Sequence, residues 1–184
     1  MQKHYAQTFT RLVLVSVVDN FLASLAELLK LIFTTRPEAL SSGETVKLED
    51  VVRHSSLEDL LTFLVERKVD RLAYQTLRDL ASEAEKILGV TLFTDEGDLA
   101  RAVDLVATRN VLVHNRGVAN ERYLRQLSST SLEAGDEVWV SGNATLAAQR
   151  FLTESVAAID QRAVAKFGLP VDPAPMPGPA LYVT

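Results

Sequence analysis

The sequence predicts an all-α domain, a helical bundle followed by a proline-rich tail. Three observations carry this. Apolar residues recur at three- and four-residue steps along most of the chain, helix-capping residues punctuate those stretches, and five of the six prolines crowd between Pro170 and Pro179. One domain is expected over residues 1–168. The tail, 169–184, is expected to be flexible and disordered, because so dense a run of prolines breaks helices and buries little.

From Tyr5 to Phe33 the period places Leu14, Val18, Phe21, Leu22, Leu25, Leu28, Leu29 and Ile32 on one wide face, which predicts a long helix. Arg36-Pro37 and Ser41-Ser42-Gly43 end it in a loop. A short segment, Leu48 to His54, leads to Ser55-Ser56-Leu57-Glu58-Asp59. A serine three residues before an acid is a capping box, and it opens a helix through Leu57, Leu60, Leu61 and Leu64. Val69 to Leu88 repeats the period through Leu72, Leu77, Leu80, Ala84 and Ile87 and stops at Gly89; the pattern fits 57–88 as one helix or two. Thr94-Asp95-Glu96-Gly97-Asp98 opens a helix that runs to about Asn115 and closes at Gly117. Asn120 to Leu127 reads as a shorter helix, and Gly135-Asp136 as a turn. Glu137 to Val140 reads as a short extended segment, and Ala144 to Phe167 as the last helix, ended by Gly168.

A length of 184 residues with 47% hydrophobic and 23% charged composition suits a single domain large enough to bury a core without staples. The absence of cysteine excludes disulfides, thiol nucleophiles, cysteine zinc sites and iron–sulfur clusters. A net charge of −5 argues against a bulk polyanion binder, so any nucleic-acid contact must be local. No grouping of histidines and acids has the spacing of a metal site, and neither metal nor cofactor is expected. Met1 to Gln7 lacks a signal-peptide pattern. Leu12 to Phe33 is interrupted by Asp19, Asn20, Glu27 and Lys30 and reads as a poor membrane span, so the expected location is the cytoplasm, away from membranes.

One segment stands apart: Leu105 to Gly117, with Arg109-Asn110, His114 and Asn115-Arg116-Gly117. On a helical wheel with Leu99 at zero, Asn110 and His114 fall at about 20° and 60°, on the apolar stripe. Arg109 is flanked at three- and four-residue steps by Leu105, Val106, Leu112 and Val113. Burying a guanidinium without a partner is costly. One reading is that Arg109 meets a buried acid and His114 caps a backbone carbonyl. The other is that two cations and an imidazole near a helix end form a phosphate site.

Arg109-Asn110-x-x-x-His114 resembles the Arg-x(4–6)-His signature of the HEPN superfamily, in which a polar residue commonly follows the arginine. His114-Asn115-Arg116-Gly117-Val118, Tyr123-Leu124, Gly135-Asp136-Glu137-Val138 and Lys166-Phe167-Gly168 are similar to a bacterial subset of those proteins, so the resemblance spans roughly Leu99 to Gly168. It implies a HEPN-like helical bundle and a metal-independent endoribonuclease of toxin–antitoxin or phage-defence type. The implied partners are RNA, a second copy in a homodimer, and an antitoxin or defence-complex protein. Other members of the superfamily are inactive partner modules or nucleotide binders, and these remain the alternatives.

Metal-free RNA cleavage needs a base for the 2′-hydroxyl, a cation for the charge building on phosphorus and an acid for the leaving 5′-oxygen. Neutral His114 suits the base, Arg109 the stabiliser, and Asn110 a group that orients one of them. One histidine cannot serve as base and acid in the same step. The five-residue spacing also separates Arg109 and His114 by about 140° and 7.5 Å along one helix. A two-fold pair of chains would supply both roles. Asn115 and Arg116 are candidate substrate contacts, and Tyr123 a candidate base-stacking ring. Trp139 is a second aromatic that could stack on bases, with core packing the better reading for it. Arg116, Arg122 and Arg125 read as a solvated face or a basic rim. Arg67, Lys68 and Arg71 read as a surface cluster neutralised by Glu66 and Asp70, and His54 as exposed.

Overall fold

Helix α1, Gln2–Thr35, is the spine of the molecule. Leu14, Val18, Phe21, Leu25, Leu29 and Ile32, three or four residues apart, are all buried along one side, and Phe33 joins them. The computed structural model describes residues 2–40 and 45–170, with side chains from residue 6 onward. After α1 come a 3-10 turn at Pro37–Leu40 and helices α2 (Leu48–Arg53), α3 (Leu57–Ala73) and α4 (Leu77–Leu88). Then follow α5 (Glu96–His114), α6 (Glu121–Leu124) and α7 (Gly142–Phe167). Among the described residues there is no β-strand; the chain is all-helical.

The apolar stripe of α1 is covered by α3, α5 and α7, and one core joins Val65, Val69 and Leu72 of α3, Leu80 and Ala84 of α4, Ala102 of α5 and Leu152, Ile159 and Ala163 of α7. Helices α1 and α7 run parallel. At one end Thr10 Oγ1 donates to Val140 O (2.9 Å), and at the other Arg36 Nη2 donates to Phe167 O (3.4 Å). Helix α5 runs the opposite way, its Arg109 level with Asp19 and the turn after it level with Arg11. By length and composition alone α1 would also pass as a membrane span from Ala6 to Thr35. Here Asp19 pairs with Arg109 and Lys30 with Glu66 (3.6 Å).

Local chemistry sets the helix ends. Ser56, Thr76, Asp95, Asn120 and Ser141 each accept a hydrogen bond from the backbone N–H three residues on, an arrangement worth about 1 kcal/mol apiece. Gly89 closes α4 at φ 60°, a left-handed conformation that glycine adopts without Cβ strain, and its N–H returns to Glu85 O at 2.8 Å.

Several elements refine or differ from the sequence expectation. Residues 57–88, where the pattern fitted one helix or two, form two that divide after Ala73, because the Thr76 cap starts α4 afresh after the bend at Tyr74 and Gln75. Residues 48–53 are helical although Leu48, Val51 and Val52 face outward, so no inward period marks them. Helix α6 is a single turn. The stretch 137–140 carries one isolated antiparallel bridge, Val118 to Glu137, and no ladder. Leu169, the first residue of the expected tail, is buried in the core. Residues 171–184, and the loop expected at Ser41–Gly43, lie outside the described residues.

Three side-chain expectations are corrected. Lys68 is only 3% exposed: with Val65, Val69 and Leu72 it occupies the inner face of α3, its ammonium 3.5 Å from Glu83. His54 is half-buried, its ring 4.8 Å from Phe63 and its Nδ1 3.2 Å from the Asp59 carboxylate. Trp139 is 62% exposed rather than in the core.

Candidate functional site

The C-terminal half of α5 and the turn after it bring the candidate residues to one end of the bundle. Arg109 projects toward α1. Its Nε donates to Asp19 Oδ1 at 2.7 Å and its Nη1 to Asn110 Oδ1 at 3.0 Å, while Nη2 has no partner among the described residues. Arg109 therefore does meet an acid, but that acid is more exposed than the arginine itself, so the pair lies at the rim of the core. Asn110, half-buried beside it, fixes the second edge of the guanidinium. A guanidinium held in this way keeps N–H groups for a further anion.

His114 stands on the last turn of α5, exposed, with no hydrogen-bond or ion-pair partner among the described residues. It caps no carbonyl. The wheel places it on the apolar stripe, but by this turn the helix has run past the main core. Arg109 is thus set against α1, while His114 of the same chain is presented to solvent.

The turn beyond His114 is tightly tied. Asn115 N and Gly117 N both donate to Val111 O at 3.0 Å, Val118 N donates to Asn115 O at 3.0 Å, and the Asn115 amide donates back to Val118 O. Asn115 is engaged in the turn itself. Arg116 sits at φ 55°, the one non-glycine residue among those described with a positive φ, and it is exposed and unpartnered among them. Backbone strain of this kind clusters at functional sites. Gly117 follows at φ 74° with the Arg11 guanidinium stacked against it: a Cβ there would lie 3.0 Å from Arg11 Cζ.

Arg11 and Gly117 clamp the 137–140 stretch. Arg11 Nη2 donates to Glu137 Oε1 and to Val138 O, both at 2.8 Å, and Val138 N donates to Gly117 O at 2.8 Å. Tyr123, expected to stack on bases, is 6% exposed. Its ring packs with Ala107, Val111, Ala119 and Val138, and its hydroxyl lies 3.2 Å from Thr108 Oγ1. That ring is enclosed and presents no face to a ligand.

Asp19, Arg11 and Glu137 are the site residues that the sequence reading missed. Asp19 carried a signal, as an acid amid the apolar run of α1 that demanded a cation elsewhere. Arg11 and Glu137 carried none, because nothing local links residues 126 positions apart. No family model, curated protein or solved structure matches this chain.

Proposed function

We propose that this chain is a metal-independent endoribonuclease of the HEPN type, acting in the cytoplasm as a homodimer in a toxin–antitoxin or phage-defence setting. The observation that carries the reading is the fixed Arg109 guanidinium, braced by Asp19 and Asn110 with Nη2 unpartnered, on the same helix as an exposed, unpartnered His114. In the reaction His114 takes the proton from the 2′-hydroxyl and the 2′-oxygen bonds to phosphorus. The bond to the 5′-oxygen breaks and that oxygen leaves with a proton from the His114 of a second copy. Arg109 offsets the charge that builds on the phosphate oxygens. The products are a 2′,3′-cyclic phosphate and a 5′-hydroxyl.

A second reading, a catalytically inactive module that docks a partner protein, is favoured by a different observation. Asp19 already neutralises Arg109, and Phe9, Leu12 and Val113 are exposed on α1 and α5. The deciding experiment is cleavage of end-labelled single-stranded RNA in EDTA by wild type, His114→Ala and Arg109→Ala, with a DNA control. The ribonuclease reading requires wild-type cleavage with a cyclic phosphate end, loss in both variants, and intact DNA. Intact RNA with folded wild-type protein, or equal cleavage by all three proteins, would sink it.

A further inference from the structure

We infer that Trp139 is the base-stacking platform of a single-stranded nucleic-acid track that crosses the turn after α5. The inference extends the ribonuclease reading and borrows from it the choice of RNA as ligand. Along 137–140 the side chains alternate: Val138 and Val140 are buried, so Trp139 points out. The backbone on both sides of it is pinned, by Arg11 and Gly117 at Val138 and by Thr10 at Val140. An indole 62% exposed on a fixed backbone contributes little to the core, and with only two side-chain torsions to order it offers a flat face for stacking at modest entropic cost.

Exposed acids flank Trp139 in its own segment, at Glu133 and Asp136, but the segment bridged to it through Gly117 and Val118 is locally basic, and that side points to the partner. The chain as a whole is at −5, yet residues 105–125 hold Arg109, Arg116, Arg122 and Arg125 against the single acid Glu121. Arg125 is paired with Glu121 at 3.8 Å, and Glu137 with Arg11, whereas Arg116 and Arg122 have no partner among the described residues. An uncommitted guanidinium at Arg116, a bare imidazole at His114 and an exposed indole, on or tied to one turn through the Val138–Gly117 bond, form the pairing that binds single strands: a cation for the phosphates, an aromatic for a base. Of the two aromatics that the sequence offers for this role, Tyr123 is enclosed and Trp139 is the exposed one.

Trp139 is the only tryptophan in the chain, so its emission reports the site directly. The test titrates the full chain with a single-stranded 2′-O-methyl RNA oligonucleotide, which has no free 2′-hydroxyl to attack. Emission is followed alongside the anisotropy of a labelled copy of the oligonucleotide. Saturable quenching is expected, with affinity reduced on the order of tenfold by Trp139→Ala and largely restored by Trp139→Phe. Binding with unchanged emission and unchanged Trp139→Ala affinity overturns the proposal, and so does the absence of binding. A tryptophan shift that depends on protein concentration alone also overturns it, and assigns the face to self-association. Quenching in a protein that cuts no cleavable RNA upholds this inference while the ribonuclease reading falls. Cleavage without quenching does the reverse.

Discussion

Asp19 and Arg109 lie ninety residues apart in sequence and 2.7 Å apart in space, joined through Nε rather than through the outer edge of the guanidinium. The geometry matters because a carboxylate on Nε sets the plane of the group while Nη2 keeps no partner of its own among the described residues. Both side chains are partly exposed, so the pair adds little to stability. Asp19→Ala is expected to shift the unfolding free energy by no more than about 1 kcal/mol. If the ribonuclease reading holds, turnover falls by roughly tenfold as the guanidinium loses its brace. Urea unfolding and single-turnover cleavage measure the two separately; unchanged turnover would show that Asp19 does not position Arg109.

Arg116 is expected to show opposite signs for stability and binding. An arginine at φ 55° is strained, and Arg116→Gly should raise stability by about 0.5–1 kcal/mol once the greater freedom of glycine in the unfolded chain is allowed for. On the proposed single-strand reading Arg116 contacts a phosphate, so the same change should lower the salt-dependence slope of binding by about 0.7. Thermal unfolding and binding isotherms at several salt concentrations read these out. A loss of stability in Arg116→Gly would contradict the strain argument.

Gly117 and Arg11 should be energetically coupled. Gly117→Ala imposes left-handed strain and pushes a methyl group into the Arg11 guanidinium, for a cost of about 1–3 kcal/mol. In an Arg11→Ala background the steric part disappears, so the second step of a double-mutant cycle should be smaller than the first. Equal costs in the two backgrounds would mean that Arg11 simply moves aside.

Stability should carry an acid-sensitive contribution from Glu83. The Gln75 amide donates to its carboxylate at 2.5 Å, and this bond, with Arg71 and Lys68 adding their charge, holds the carboxyl below the ordinary glutamate range against the opposing effect of burial. A depressed folded-state value means that the contribution is fully present above the ordinary value of 4.5 and is lost as pH falls through the lower folded value. The gap in urea midpoint between wild type and Glu83→Gln should therefore be widest near neutrality and narrow in acid. A gap that is constant across that range would rule out the linkage.

Core and surface should respond in contrast. Ile159 is fully buried where α7 enters the main core, and Ile159→Ala is expected to destabilise by about 2–5 kcal/mol. Trp139→Ala removes a larger side chain for about 0.5 kcal/mol or less. Chemical denaturation of both variants checks the pair; a costly Trp139→Ala would return the indole to a packing role.

The helical architecture was legible because it is written in short-range patterns. The α1 stripe, the Ser56 cap and the Gly89 stop each involve residues within a few positions of one another, and all three appear in the structure. Lys68 was legible in principle. Its spacing from Val65, Val69 and Leu72 puts it on the inner face, but the neighbouring charges Arg67, Asp70 and Arg71 disguise it. Trp139 was misplaced because a large aromatic defaults to the core, although the flanking valines already claim the inward direction. That Arg109 would meet an acid was legible, and Asp19 was conspicuous in its apolar run, but their pairing and the clamp of Arg11 on the 137–140 stretch were beyond reach, since only the tertiary fold sets α1 beside them.

The parallel packing of α1 on α7 has a consequence for the order of events at the ribosome. Their closing contact, Thr10 to Val140, spans 130 residues, so the face of α1 that α7 covers stays open until α7 has emerged. For most of synthesis the nascent chain therefore carries one apolar strip of α1 uncovered even where α3 and α5 have docked, which exposes it to aggregation when translation stalls before α7 is complete at Phe167.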